Sequence, residues 1–194
     1  MTIARSPLAL ALALIGCTAL LTVGDQFHVQ YGVISYPYGG PVFGQAWWVA
    51  PGFAVATVGF VGLAWPFAPF VVKPTRKTIA ADAAWFFASY AASGILGHRV
   101  VGLTSLLFGL WMYRVARRSD RRAVIWFSVM LAVVGTLGEI ALHATGVTSY
   151  ARKDIVLVPA WLPVLYMQGA PLALSITRWI RGEMPSDRRV DDDD

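Results

Sequence analysis

Six apolar runs, each close to the length of a membrane-spanning helix, constrain this sequence more than any other feature. A helix needs about 20 mainly apolar residues to cross the hydrocarbon core of a bilayer. Basic clusters, prolines or glycine-rich segments separate the runs, so the pattern predicts six transmembrane helices. The predicted spans are residues 6–23, 46–72, 78–96, 100–113, 123–145 and 159–180.

The composition agrees with a membrane location. Hydrophobic residues make up 57% of the chain and charged residues only 14%, whereas soluble domains average about 25% charged residues. We therefore predict an all-α integral membrane protein, a compact six-helix bundle over residues 1–181. The charged segment 182–194 is predicted to be a disordered tail, because it lacks the apolar residues that a packed structure needs.

The basic residues indicate how the bundle is oriented. Thirteen of the 16 Lys and Arg residues lie at the ends of the spans that share a side with both termini. Cytoplasmic loops carry such an excess of positive charge, so both termini are predicted to be cytoplasmic, in a bacterial cell membrane. The net charge of +5 does not indicate nucleic-acid binding, because the basic residues lie between apolar runs rather than along one face.

The sequence contains no recognisable catalytic or metal-binding motif. The patterns GxSxG, HExxH and GxxxxGK are all missing. A single cysteine, Cys17, excludes an internal disulfide and a cysteine-based metal site. We therefore predict no catalytic residues, no metal and no cofactor.

Several ionisable residues lie inside the predicted spans, where they normally face the protein interior or a wet cavity. Glu139 and His143 are one helical turn apart and share a face, which favours a buried hydrogen-bonded pair. Asp82 is expected to be an interfacial carboxylate near the start of the third span. Asp25 is expected to belong to an interfacial cluster at the end of the first. His98 follows two glycines in the tight hairpin between the third and fourth spans, where it could lie at the membrane edge or line a pocket.

Four motifs resemble the Insig (insulin-induced gene protein) family, which comprises small six-helix sterol sensors of the endoplasmic reticulum in eukaryotes. They are QAWWVAPG from Gln45, a span that ends in WPF, GLW at 109–111, and GVTSYARKDIVLVPAWLPVLYMQGA from Gly146. Their order and spacing agree with the family over about residues 8–180. The chain thus resembles a prokaryotic Insig homologue.

The resemblance implies an oxysterol-type pocket in the membrane core and partners with a sterol-sensing domain. The pocket aromatic of the third helix corresponds to Trp85, a glutamine early in the fourth helix corresponds to His98, and the tryptophan that ends this helix is retained as Trp111. An aspartate that animal members need for partner binding falls at Val115, and a lysine falls at Gly94. The resemblance therefore does not carry the sterol-sensing-domain partner over to this chain.

Together these observations predict a non-enzymatic membrane protein that binds or senses a neutral lipid, such as a sterol or a diacylglycerol-like molecule. Two alternatives stay open: a membrane enzyme that acts on lipid through Glu139 and His143, and a small transporter. Glycine-rich helix faces also permit a homo-oligomer, for example a trimer. The candidate lipid-binding residues are Trp85, Phe86, Tyr90, His98, Thr104, Trp111, Glu139, His143 and Gln168.

Overall fold

In a computed structural model that describes residues 7–37, 40 and 43–183, six α-helices form a bundle. Two short strands, β1 (Ile34–Ser35) and β2 (Ser149–Tyr150), pair antiparallel at one end of it. The predicted all-α class is confirmed, whereas most of the predicted tail, from residue 184 onward, lies outside the described residues. The helices are α1 (Pro7–Gln30), α2 (Val49–Ala64), α3 (Arg76–Leu96), α4 (Val100–Ala116), α5 (Arg121–Ala144) and α6 (Leu162–Ile180).

Among the described helices, α1, α3 and α5 are long and apolar enough to cross a membrane, judged by length and composition, and α2 and α4 are shorter apolar helices. The predicted second span of 27 residues is split, because α2 ends at Ala64 and a 3-10 turn follows at 68–70. Pro66 and Pro69 lie in this region. Proline lacks the N–H that an α-helix needs, so it ends the regular helix.

Helix α6 is the centre of the bundle and packs against all five other helices. Fourteen of its 19 residues are buried, including Gln168, Ser175 and Thr177. A helix surrounded by protein can carry polar side chains, because the neighbouring helices supply hydrogen-bond partners. This central position explains how α6 can carry these three buried polar side chains.

The tight hairpin between α3 and α4 has the short connection that its sequence predicts, residues 97–99. Trp161 donates a hydrogen bond from Nε1 to the carbonyl oxygen of Gly97, at 3.0 Å, and so fixes this turn to the start of α6. Glycines also allow α3 to approach α1 closely: a Cβ at Gly94 would lie 2.7 Å from the Cβ of Phe27. Small residues at such crossings let the helix backbones approach in a membrane.

At the end of the bundle that carries most basic residues, Asp82 holds three helices together. Its Oδ1 accepts a hydrogen bond from Arg114 of α4 at 2.6 Å, and its Oδ2 accepts one from Ser175 of α6 at 2.8 Å. Asp82 is only 4% exposed. The expectation of an interfacial carboxylate was therefore wrong, because the arginine that neutralises Asp82 comes from a different helix than its sequence neighbours Arg76 and Lys77.

The loop between α4 and α5 is fixed by a second carboxylate, Asp120, which pairs with Arg118 and accepts a hydrogen bond from the backbone N–H of Val72. Burial alone would raise the pKa of the Asp120 carboxyl. The hydrogen bonds from Arg118 and Val72 outweigh that effect and hold its pKa below the ordinary value. This loop is thereby fastened to the segment that follows α2.

We predict that Asp82→Ala lowers the free energy of unfolding by about 3 kcal/mol, because it leaves the partly buried Arg114 guanidinium without its counter-charge and the buried Ser175 hydroxyl without its acceptor. The measurement is unfolding of the detergent-solubilised protein. Asp154→Ala is the matched control: its ion pair with Arg152 is exposed, so the loss should stay below about 1 kcal/mol. Equal losses in the two variants would contradict the role given to Asp82.

Candidate functional site

A cavity of about 660 Å³ lies between α1, α2, α3, α5 and α6. Most of its walls are aliphatic and aromatic side chains from these five helices. Its volume lies within the range of ordinary ligand pockets, about 300–1,000 Å³. Its charged side chains, Asp25 and Glu139, lie at one end of the bundle, where the β1–β2 sheet packs, and we call this region the polar end.

The first group of the polar end is built around Asp25, in the second-last turn of α1. Its Oδ2 accepts hydrogen bonds from the Tyr36 hydroxyl at 2.8 Å and from Gln45 Nε2 at 2.7 Å. Asp25 is 4% exposed and lines the cavity. α1 runs to Gln30 rather than ending at residue 23, because this carboxylate finds donors inside the bundle. The expectation that Asp25 is interfacial was therefore wrong.

The second group is built around Glu139 of α5. Its Oε1 accepts a hydrogen bond from the Tyr166 hydroxyl of α6 at 3.0 Å, and the hydroxyl of Tyr150 also faces this carboxylate. Strand pairing brings Tyr150 here, because β2 joins the loop after α5 to the loop after α1. Glu139 and Asp25 thus reach the same cavity from different helices.

His143, one turn beyond Glu139, does not line the cavity. Its Nδ1 lies 2.8 Å from the carbonyl oxygen of Glu139 and 3.6 Å from the Glu139 Oε2, and its ring stacks on Tyr150 at 4.4 Å. Its Nε2 is buried and has no partner among the described residues. The two residues are therefore neighbours, as the spacing predicted, but only Glu139 reaches the cavity.

Two further polar residues line the polar end. His28 of α1 donates a hydrogen bond from Nε2 to Ser93 Oγ at 2.9 Å, because the Ser93 hydroxyl already donates to the Tyr90 carbonyl. Its ring stacks on Trp161, so His28 is held on both sides. Thr148 is 3% exposed, and its hydroxyl is buried with no partner among the described residues.

The cavity opens sideways between α2 and α5. Both helices pack on α6, but within the described residues they hardly touch each other. Val55 of α2 and Val134 of α5 line the cavity and are 74% and 42% exposed, so the rim reaches the outer surface of the bundle. Gly59 and Gly138 lie along this opening, and a Cβ at either position would meet no atom within 4 Å.

The structure brings three of the nine candidate residues to the cavity, namely Phe86, Tyr90 and Glu139. The other six do not line it, because their side chains are used in contacts between or within helices. They are Trp85, His98, Thr104, Trp111, His143 and Gln168.

The contacts of His143 are described above, and hydrogen bonds hold the other five side chains away from the cavity. Trp85 Nε1 donates to Gln168 Oε1 at 3.1 Å, and Gln168 Nε2 donates to the Leu107 carbonyl at 2.6 Å. Trp111 Nε1 donates to Ser128 Oγ, and Thr104 donates to the carbonyl oxygen one turn before it. The exposed His98 donates from Nε2 to the Tyr31 carbonyl.

The sequence reasoning missed Tyr36, Thr148, Tyr150 and Tyr166 at the polar end. Tyr36 and Tyr150 lie in loops, and only the pairing of β1 with β2 brings them together. Tyr166 lies one turn into α6, 27 residues from its partner Glu139. The one signal in the sequence that could have identified Tyr166 is a tyrosine hydroxyl inside a predicted apolar span.

We predict that Gln168→Ala destabilises the protein by about 2 kcal/mol, because it leaves the partly buried Trp85 Nε1 without its partner and removes the buried hydrogen bond to the Leu107 carbonyl. The folded fraction should keep its lipid affinity, since Gln168 does not reach the cavity. Unfolding and lipid binding are measured on the same preparation. A lost affinity at unchanged stability would contradict this structural role.

Comparison with known proteins identifies the fold. No protein-family model matches the sequence, and no curated protein sequence matches it significantly. Two crystal structures of MvINS do match: the mycobacterial Insig homologue from Mycobacterium vanbaalenii (TM-score 0.76) and a cross-linked trimer of MvINS (TM-score 0.78). In both cases the identity is 20%, over 95% of this chain and 99% of the matched chain. The bundle therefore has the fold of a bacterial Insig homologue, as the sequence motifs predicted.

Proposed function

We propose that this protein is a prokaryotic Insig homologue that holds one neutral lipid in the cavity and carries out no chemical reaction. One observation carries the proposal: the cavity is apolar along its length, opens sideways between α2 and α5, and is polar only at one end. A membrane lipid has the same division between long apolar chains and a small head. Its chains would lie along the opening while its head occupies the polar end.

Affinity in such a site depends on the head group and on shape. Lipid chains are already in an apolar solvent, so moving them into the cavity gains little from the hydrophobic effect. Hydrogen bonds made at low dielectric are stronger than those made in water. The polar end, with Asp25 and Glu139, would therefore determine which of the membrane lipids is bound.

The geometry favours binding over catalysis by Glu139 and His143. General acid–base catalysis needs both groups within hydrogen-bond reach of the substrate. Only Glu139 reaches the cavity, and the His143 ring is held against Tyr150 with Nδ1 beside the Glu139 carbonyl. Transport is disfavoured as well, because the described residues place the charged lining side chains at one end, whereas a transporter needs a polar path through the membrane.

The assembly and orientation follow from the fold and the charge pattern. A cross-linked trimer of MvINS supports a homo-oligomer here. The basic loops support a cytoplasmic location of both termini in a bacterial cell, and the polar end would then lie toward the opposite face of the membrane. A partner with a sterol-sensing domain is not supported: Val115, at the position of the family's aspartate, is buried and apolar.

The test is to fill the opening. We predict that Gly59→Leu and Gly138→Leu reduce the lipid that co-purifies with the detergent-solubilised protein at least about fivefold. Both glycines line the cavity at its rim, and a Cβ meets no atom at either position, so a leucine there is expected to narrow the opening without breaking the packing. The lipid is quantified by mass spectrometry per mole of folded protein.

Gly102→Leu is the matched control for this experiment. Gly102 also lies in a helix with no atom within 4 Å of an added Cβ, but it does not line the cavity. We expect the wild-type amount of lipid in this variant. The proposal fails if all three variants retain the same lipid, or if the wild-type protein carries only the mixture present in the bulk membrane.

A further inference from the structure

We propose that a groove on the outer surface of the bundle, at the end opposite the polar end, binds an anionic phospholipid. We call this end the basic end. The groove has a volume of about 500 Å³ and lies between the segment that follows α2 and the start of α5. It shares no lining residue with the central cavity, so the inference goes beyond the proposed function. The lining residues are Pro66, Phe67, Phe70, Arg122, Ala123 and Trp126.

The groove is built into the fold at the point where α2 stops. Because α2 ends at Ala64, the chain leaves the helix axis and turns across the start of α5. The Phe67 ring packs on the Phe127 ring of α5, with centroids 5.4 Å apart, and forms the floor. The backbone N–H of Val72 donates to Asp120 at 2.8 Å and fastens the segment just beyond the groove. The site is therefore preformed, as ligand sites usually are.

The side walls of the groove are aromatic and open to the surroundings. Phe70 and Trp126 are 72% and 70% exposed, and neither ring has an aromatic partner among the described residues. Aromatic side chains at the ends of membrane helices lie at the level of the lipid head groups. The two rings thus offer an apolar surface to the upper part of a lipid chain.

The charge of the groove comes from Arg122. No other charged residue lines the groove within the described chain, and the Arg122 side chain is exposed and has no hydrogen-bond or ion-pair partner there. A guanidinium group binds a phosphate through two parallel hydrogen bonds. Trp126 lies one helical turn from Arg122 on the same face of α5, about 6 Å deeper in the bundle. This order, a cation at the edge and an apolar surface below it, matches a phospholipid.

The surroundings of the groove favour an anionic ligand. Each described carboxylate of the basic end is paired with arginine: Asp82, Asp120 and Glu183. The first turn of α5 adds partial positive charge, because its N–H groups lie at the start of a helix. Five basic residues of this end have no side-chain partner within the part of the chain that the structure describes. They are Lys73, Arg76, Lys77, Arg121 and Arg122.

The combination of charge and aromatic walls identifies the occupant. A zwitterionic phospholipid brings an ammonium group that the surrounding cations repel, whereas an anionic one such as phosphatidylglycerol does not. A soluble phosphate compound has no chain to cover the rings of Phe70 and Trp126. The acidic segment 191–194 of this chain carries negative charge but no apolar side chain. Basic sites on the cytoplasmic side of membrane helices bind anionic head groups in this way.

The test compares phosphatidylglycerol with phosphatidylcholine carrying the same acyl chains. Binding to the full-length protein in detergent is measured by native mass spectrometry. We expect the wild-type protein to bind phosphatidylglycerol at least about fivefold more tightly. A phosphatidylglycerol with a photoreactive group in its chain locates the site, and we expect it to label residues 66–70 and 122–126.

Two variants, each with a matched control, separate this site from general attraction to a basic protein. Arg122→Gln should reduce the preference for phosphatidylglycerol below about twofold. Arg121→Gln removes the same charge from the neighbouring residue, which does not line the groove, and should retain the preference. Trp126→Ala should weaken phosphatidylglycerol binding at least about threefold, because the chain loses its contact with the ring. Trp47→Ala, which removes a 74% exposed tryptophan from the other end of the bundle, should not.

Three results would overturn the inference. The first is equal binding of the two phospholipids to the wild-type protein, and the second is an equal effect of Arg122→Gln and Arg121→Gln. The third is a preference that appears only after residues 184–194 are deleted, which would identify the acidic tail as the occupant. The proposed function stands or falls separately, because Gly59→Leu and Gly138→Leu alter the cavity and should leave the preference at the groove unchanged.

Discussion

A carboxylate within a membrane helix needs hydrogen-bond donors from another element, and this requirement organises the bundle. The described helices contain three such carboxylates, Asp25, Asp82 and Glu139. Each is satisfied from a distant part of the chain: Asp82 by α4 and α6, Glu139 by α6, and Asp25 by the segment between α1 and α2. Removing these bonds would leave charges that the membrane interior cannot solvate.

The two ends of the bundle meet this requirement differently, and the difference creates the candidate site. At the basic end, Arg114 neutralises Asp82 directly. At the polar end, Asp25 and Glu139 receive only neutral donors from tyrosine and glutamine side chains. These two carboxyl groups have no cationic partner among the described residues and lie beside an apolar cavity. A polar surface of this kind adds little to packing. It is suited to a ligand.

The sequence predicts the fold well, because long apolar runs and tight turns are local signals. The number of helices and the short turn at 97–99 follow from them, and the family motifs predict the fold that MvINS shares. The errors arise where a partner comes from far along the chain. α1 continues past residue 23 because Tyr36 and Gln45 satisfy Asp25, and Asp82 is buried because Arg114 reaches it from the next helix.

The candidate site was predicted less well for the same reason. The helical face on which Glu139 lies can be read from the sequence of α5 alone, and this residue does line the cavity. Trp85 and Gln168 were assigned to the pocket from resemblance and polarity, yet they bond each other across the interface of α3 and α6. Polarity inside a membrane span indicates a buried partner, but the sequence does not state whether that partner is the protein itself or a ligand.

The most direct test of this account is an experimental structure of the protein purified with its native lipids, at a resolution that separates head-group atoms. The account predicts density for one lipid, with its chains between α2 and α5 and its head at the polar end, beside Asp25 and Glu139. An empty cavity, or lipid bound only on the outer surface of the bundle, would contradict it.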